Sequence, residues 1–572
     1  MRYFCLVCDY DGTIAAGGQV APSTRDALER VRQSGRKLIL ATGRELDDLL
    51  LVLPDATIFD LIVAENGGLL YRPATRERRA LAGHPPRNFV EELTRRAVTP
   101  LSVGETMVST RVPHETDVLN VIQKLGLELQ VTFNKGAVMV LPSGVNKGTG
   151  VRAALDELGL SQHGMVGVGD AENDHAFLEL CEFSVAVQNA LPVLKERADL
   201  VTSAPDGAGV AELIGRLVAS DLVEFGDGLK RHEFVLGKKT DGARFTMSPY
   251  GSRMVVAGPS GSGKSTFVSL LIERLVEREY QVCVIDPEGD YDEMESFVTL
   301  GRPGHKPDMP AILNVLDAHA RSVTVNLVGV PLADRPAFFQ ELLSRIQELR
   351  ARTGRPEWIV IDEAHQVFPA SLNSASLVIP KGLASIAFVT VHPEHVSREI
   401  LGTVNGLVLV GSDTREIAAK FSESASAHLD ISSPELENLS TGTVVIWWFA
   451  SGRPPVKVRL DSTKPERRRH RQKYAAGDLG EDKSFYFRGP KLKMNLRAQN
   501  LNLFAQLAQG IDDATWNHHL RAHDYSSWIR DSVKDDTLAG EVQAIENDKS
   551  LSSIESRRQL LEAIRKYYTA PA

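Results

Sequence analysis

Asp9 and Asp11 stand two positions apart at the end of an apolar run (residues 3–7), in the stretch Cys8-Asp9-Tyr10-Asp11-Gly12-Thr13. On a strand, side chains at i and i+2 share a face, so a buried strand ending here delivers both carboxylates to one edge of a sheet. Carboxylates so placed can hold a metal ion and attack phosphorus. Asp-Tyr-Asp-Gly also reads as a plain turn after an edge strand, and only the rest of the chain separates the two readings. A second group with chemical potential is Gly258-Pro259-Ser260-Gly261-Ser262-Gly263-Lys264-Ser265-Thr266, behind the apolar run 254–257. A glycine-rich turn at the mouth of a helix aims backbone N–H groups at a β-phosphate, with Lys264 reaching the β and γ groups and Ser265 holding Mg²⁺. Downstream, Trp358-Ile359-Val360-Ile361-Asp362-Glu363 is an apolar run ending in two acids. Asp362 suits the metal's water shell and Glu363 the polarising of an attacking water. In isolation that pair would open an ordinary helix; the upstream glycine-rich loop favours the catalytic reading.

The elements that must position the first group follow in order. Residues 36–44 read as a second buried strand ending in the Thr42 hydroxyl, and Val145-Asn146-Lys147-Gly148 opens a helix with a lysine. Residues 165–174 form a third strand ending in Asp170, Asn173 and Asp174. Amphipathic helices at 23–34 and 150–158 lie between, so the pattern is βαβ and the sheet mostly parallel. The 572 residues suffice for about three or four domains, and 43% hydrophobic with 24% charged residues is the composition of an ordinary globular chain. A net charge of −9 argues against a wholly basic nucleic-acid binder, though not against a local basic channel. Cys5, Cys8, Cys181 and Cys283 are too few for a disulfide framework, which suggests a reducing compartment. With no leader-like start and no run of membrane-spanning length, a cytoplasmic protein without a membrane partner is expected.

Asp-x-Asp-Gly-Thr, then Thr-Gly-Arg, Asn-Lys-Gly and Gly-Asp-x-x-Asn-Asp in this order resemble the haloacid dehalogenase superfamily, in its Cof-type sugar-phosphatase branch. The stretches Val63-Ala64-Glu65-Asn66-Gly67-Gly68 and Val185-Ala186-Val187-Gln188-Asn189-Ala190 are similar to that branch's minor motifs. The resemblance implies that Asp9 is the nucleophile and Asp11 the general acid and base. It implies that Thr42 and Lys147 hold the phosphoryl oxygens, and that Mg²⁺ lies between Asp9, the Asp11 carbonyl and Asp170 with Asn173 and Asp174 ordering its shell. The substrate implied is a small phosphate ester such as a sugar phosphate. An α/β cap is implied between the second and third motifs, where strand-like runs at 107–112 and 137–141 flank a helix near 117–125. Arg44, Arg72, Arg76 and Arg111 could meet a second anionic group on the substrate, although surface arginines are more often simply solvated.

Val282-Cys283-Val284-Ile285-Asp286-Pro287-Glu288-Gly289-Asp290-Tyr291, with the glycine-rich loop, resembles the HerA/FtsK-type ATPases. That resemblance implies ATP as ligand and a homo-oligomer, commonly a hexameric ring, with nucleic acid as a conceivable partner. One departure is Thr390-Val391-His392-Pro393, which lacks the family's γ-phosphate-sensing glutamine, so ATP binding is expected ahead of rapid DNA-stimulated turnover. The basic run at 465–473 reads as a solvated linker helix rather than a phosphate-binding patch. From Leu496 to Tyr568 the apolar spacing is helical, and His518, His519 and His523 fit bundle packing better than a metal site. The fold expected is thus α/β and multidomain: a Rossmann-like hydrolase core at 1–70 and 142–220 with an inserted α/β cap at 71–141. A RecA-like P-loop ATPase domain at 226–462, a basic linker at 463–483 and a small all-α domain at 484–572 follow. The favoured function is a Mg²⁺-dependent phosphatase regulated or assembled by a fused ATPase module. The alternatives are a nucleic-acid motor or phage-defence protein with a hydrolase effector, and a nucleotide-responsive scaffold with little turnover.

Overall fold

The computed structural model describes residues 1–291, 294, 296–318, 321–371, 385–437, 439–461, 484–490, 494–533 and 535–568. Two compact units emerge, Met1–Asp461 and Ser462–Ala572. In the first, the wholly buried strand Cys5–Asp9 lies in an eight-stranded sheet between Met165–Gly169 and Lys37–Ala41. Phe183–Ala186 and Leu200–Val201 extend it on one side, Leu61–Ala64 on the other, all parallel. Their unbroken apolar sequences suit strands covered on both faces. The helices Pro22–Gln33 and Asp206–Ser220 pack together, and Lys147–Leu158 packs on the strand Leu61–Ala64.

Beyond Leu61–Ala64 the sheet continues antiparallel through the hairpin Leu69–Arg72 and Glu77–Ala80. An insert drawn from residue 71 therefore begins too early, because ladder hydrogen bonds hold the first of these residues to the core sheet. The separate four-stranded sheet after it consists of Leu129–Asn134, Ala137–Pro142, Val108–Arg111 and Ser102–Val103 in spatial order. With the helices Arg87–Arg95 and Glu115–Leu125 it encloses its own core of Phe89, Leu93, Val118, Val121, Val138 and Val140. The buried Glu65 carboxylate fastens this insert to the core: it accepts from the Glu105 and Thr106 amides at 2.9 and 2.7 Å and from the Thr106 hydroxyl at 2.8 Å.

The second large sheet has eleven strands, with Arg253–Ala257 between Gly406–Val410 and Ile386–Thr390. Alternate residues of these strands enter different clusters, Val255 and Ala257 one, Met254 and Val256 the other, so the sheet is buried on both faces. Trp358–Ile361, Val282–Asp286, Ser322–Asn326 and Phe297–Leu300 continue it in parallel. Thr443–Trp447, Val456–Leu460, Phe234–Lys239 and Arg244–Met247 form its antiparallel flank.

The unit Ser462–Ala572 is helical among its described residues except for a two-stranded ribbon, Phe485–Phe487 with Leu496–Ala498. Leu496 thus opens a strand instead of a helix, since Phe485 and Phe487 need a partner to bury against Phe504, Tyr525 and Trp528. His519 is held by Asp524 at 2.7 Å and the Arg488 amide at 3.1 Å, and His523 by Glu546 at 3.2 Å. The basic run at 465–473 lies outside the described residues. All four cysteines are buried and unpaired, and no helix among the described residues is long and apolar enough to cross a membrane.

Candidate active sites

Because Cys5–Asp9, Lys37–Ala41 and Met165–Gly169 are parallel neighbours, Asp9, Thr42 and Asp170 meet at one sheet edge. Lys147 is the first residue of the helix Lys147–Leu158, whose start is fixed by a reciprocal cap between Asn146 and Thr149. Its side chain is fully buried, and its ammonium donates to Asp9 Oδ1 at 2.5 Å and to Asp174 Oδ1 at 2.6 Å. Burial opposes the Lys147 charge, but Asp174 and Asp9 outweigh it and the pKa is raised. Burial also pushes Asp9 well above the usual carboxylate range, with Asp174 adding to the effect and Lys147 opposing it. Asp174 Oδ2 accepts from the Asp170 and Ala171 amides at 2.8 and 2.9 Å, so this carboxylate shapes the loop and grips Lys147. Asn173 donates to Asn66 Oδ1 at 3.0 Å, while its own Oδ1 is buried without a hydrogen bond. Asp11 is gripped by both arms of Arg44, at 2.6 and 2.8 Å. Of the other arginines that could meet substrate, Arg72 is paired with Glu157.

At the second site, Gly261 and Gly263 take the left-handed backbone that lets the loop turn from Arg253–Ala257 into the helix Lys264–Glu277. Lys264 Nζ donates to the Gly258 and Pro259 carbonyls at 2.9 and 3.0 Å. Burial lowers the Lys264 pKa, and Glu363 and Asp362 act to raise it. Asp362 is buried and its pKa rises well above normal, through burial first and then through Glu363 and Asp286. Glu363 holds a left-handed φ of 40°, uncommon for a side-chain-bearing residue, and its buried Oε2 has no hydrogen-bond partner. Ser265 is exposed at the start of the helix, and Ser260, Ser262 and Thr266 lie along the same turn. Asp286 turns out to be the scaffold of the neighbouring loop. Its Oδ1 accepts from the Glu288, Gly289 and Asp290 amides at 3.2, 2.8 and 3.1 Å, and its Oδ2 from the Tyr291 amide at 2.7 Å.

The family described as haloacid dehalogenase-like hydrolase matches residues 6–94 and 104–214, and the central domain of helicase HerA matches residues 250–349. A phosphoglycolate phosphatase 2 of Saccharolobus solfataricus is 30% identical over 226 residues, covering 38% of this chain and 93% of that one. The chain belongs to the haloacid dehalogenase-like hydrolases. A phosphoglycolate phosphatase of Methanothermobacter thermautotrophicus is also 30% identical, over 220 residues, 37% of this chain and 98% of its own. A haloacid dehalogenase-like hydrolase structure from Bacteroides thetaiotaomicron is 20% identical over 38% of this chain and all of that one, with a TM-score of 0.33. This haloacid dehalogenase-like phosphatase is thus joined to a HerA-like ATPase module in one chain.

Sequence reasoning missed one cation in this hydrolase's site. Lys135, at the hairpin between Leu129–Asn134 and Ala137–Pro142, donates to Asp170 Oδ2 at 2.5 Å and lies 3.3 Å from the Asp11 carbonyl. Asn-Lys-Gly occurs at 134–136 as well as at 146–148, but Lys135 meets Asp170 whereas Lys147 meets Asp9 and Asp174. A divalent cation fits these donors. Ligand atoms of Asp9, Asp170 and Asp174 lie within 4.8 Å of one another, and a Cβ on Gly12 would come within 2.5 Å of both Asp170 Oδ2 and Lys135 Nζ. The ammonium of Lys135 stands against oxygens that such a cation would use. Lys135→Ala is therefore expected to lower the Mg²⁺ concentration for half-maximal phosphate release by about three- to tenfold, the scale of an ion pair of about 1 kcal/mol. An unchanged or raised Mg²⁺ requirement would show that Lys135 does not compete with the metal.

Proposed function

We propose that this chain hydrolyses a small phosphate monoester through an aspartyl-phosphate on Asp9 and binds MgATP at Gly258–Thr266. The observation that carries the first half is the buried Lys147 ammonium held between Asp9 and Asp174 at the edge shared with Asp170. Lys147 aims the Asp9 carboxylate, and with the Thr42 hydroxyl it takes charge on the non-bridging oxygens of the phosphoryl group. Asp9 forms a bond to phosphorus as the ester bond breaks, and Asp11 gives its proton to the leaving oxygen. Asp11 then takes a proton from the water that attacks phosphorus, which frees inorganic phosphate and restores Asp9. Asp9, Asp170 and the Asp11 carbonyl would hold Mg²⁺, with Asn173 and Asp174 ordering its shell, and the bound ion would supply the positive charge that lets a carboxylate approach a phosphate.

Arg44 narrows the substrate. Its fork engages both oxygens of Asp11, the two atoms that would have to face the leaving group. A substrate with a second anionic group, as in the phosphoglycolate named for the relatives, can draw the guanidinium away and leave the Asp11 oxygens free to reach the leaving group. A phosphate-release panel with Mg²⁺ tests this reading: phosphoglycolate should be turned over faster than neutral sugar phosphates. Release from none of the phosphate esters would overturn it.

In the ATPase module, Lys264 and Ser265 would hold the β- and γ-phosphates and the metal, Asp362 the metal's water shell, and Glu363 the attacking water. Val391, in place of the sensing glutamine, favours slow turnover, and ring assembly is the oligomeric form expected from the HerA likeness. Control of the hydrolase by nucleotide belongs to the same proposal. The helix Lys264–Glu277 begins at the loop and leads into Glu279, which Arg152 contacts at 3.2 Å from the helix that Lys147 opens.

A further inference from the structure

His163, Glu182 and His232 converge where the hydrolase core meets the ATPase module. His163 and Glu182 flank the strand Met165–Gly169 and precede Phe183–Ala186, His232 lies on the segment leading to Phe234–Lys239, and Tyr280 of the ATPase module stacks on His163 at 3.6 Å between ring centres. His163 Nε2 is 2.9 Å from the Arg278 carbonyl, which can only accept, so this nitrogen carries the ring proton. The lone pair of His163 Nδ1 then faces Glu182 Oε2 at 3.0 Å, and His232 Nε2 lies 3.4 Å from the same oxygen. Acceptors that face one another in a buried place need either a proton or a cation between them.

We propose that a divalent transition-metal ion of the zinc class binds His163 Nδ1, Glu182 Oε2 and His232 Nε2 and ties the two modules together. Three lines of geometry support it. Donors about 2.0 to 2.1 Å from a tetrahedral ion stand about 3.3 Å apart, close to the 3.0 and 3.4 Å separations present here. The Arg278 carbonyl orients His163 through its other nitrogen, the usual outer support of a metal-binding imidazole. The Cys181 carbonyl, 3.3 Å from His232 Nε2, offers a fourth donor once the ion has displaced the ring proton that this carbonyl and Glu182 Oε2 accept from His232. Burial lowers the pKa of both imidazoles, which keeps them neutral and available as ligands near pH 7. The carboxylate also receives the Tyr280 hydroxyl on Oε2 at 3.2 Å and has Arg2 Nη2 3.6 Å from Oε1, so the ion would share Glu182 with a guanidinium on the other oxygen. His232 is 13% exposed while His163 and Glu182 are 1% exposed, which makes the His232 side the route of entry.

Cobalt(II) titration of the full chain tests the site, because a tetrahedral nitrogen and oxygen set gives an intense visible d–d band that an octahedral oxygen set does not. One equivalent of this band is expected in wild type and in Asp170→Asn, and its loss in His232→Gln. Added Zn²⁺ should bleach it, and excess Mg²⁺ should not. No band in wild type means that a shared proton, not a metal, bridges these groups, and the proposal falls. A band lost in Asp170→Asn places the ion in the hydrolase site and overturns it equally. If His232→Gln does not fold, the wild-type and Asp170→Asn spectra with Mg²⁺ competition still decide.

Discussion

Asp9→Asn should release phosphate at least about a thousandfold more slowly than wild type while folding normally. An amide of the same shape keeps the buried volume but is no nucleophile, so no aspartyl-phosphate forms. Lys147 keeps Asp174 at 2.6 Å as its partner, and the buried pair that remains is neutral overall. Wild type instead buries two carboxylates against one ammonium, and burial drives the Asp9 pKa up. The sign of the stability effect follows. A carboxyl group whose folded pKa lies above its unfolded value contributes stability at low pH and loses it as pH rises through the folded value. Without Mg²⁺, wild type should thus lose stability relative to Asp9→Asn as pH rises from the ordinary carboxylate range towards neutrality and above. Paired urea titrations measure this difference. Added Mg²⁺ should narrow it, since the cation takes the place of the missing positive charge. A variant that releases phosphate at the wild-type rate would remove Asp9 as nucleophile.

The strand-end chemistry was legible because it is local: Asp9, Thr42 and Asp170 each follow an apolar run, and parallel neighbours in a βαβ pattern must end at one edge. Lys264 was legible for the same reason, since a loop between a buried strand and a helix defines its own geometry. Lys135 was not, because its Asn-Lys-Gly turn acquires meaning only when the insert folds over Asp170, and nothing in the local sequence states which loop the hairpin faces. The hairpin Leu69–Arg72 and Glu77–Ala80 misled in the opposite direction: its charged outer strand, Glu77–Ala80, is exposed throughout and so reads like part of an insertion, yet its backbone bonds to the core. His163, Glu182 and His232 have no shared spacing at all, and their meeting depends on how two modules are packed. Asp286 was read as part of a family stretch, and its role as acceptor for the turn that follows came only with the structure.

Lys264→Ala should abolish ATP turnover, with a loss of at least about a hundredfold, and leave phosphomonoester release without nucleotide unchanged. The ammonium lies against the loop's own carbonyls, so its removal costs local hydrogen bonds but leaves the core intact: the apolar residues of the helix, Phe267, Val268, Leu270 and Leu271, are buried in one cluster beneath the sheet. Both sites yield inorganic phosphate, so product alone does not assign an activity, and the two variants must be crossed. ATP-derived phosphate that disappears in Lys264→Ala and persists in Asp9→Asn belongs to the P-loop. ATP-derived phosphate that persists in Lys264→Ala and disappears in Asp9→Asn would make ATP a substrate of the hydrolase site and leave the HerA-like module as a binding domain. The same pair reads the link through Glu279 and Arg152. A non-hydrolysable ATP analogue that alters phosphomonoester release in wild type but not in Lys264→Ala shows that occupancy of the loop reaches Lys147. Equal release with and without the analogue in wild type would leave two independent engines on one chain, because the two helices then meet without transmitting the state of either site.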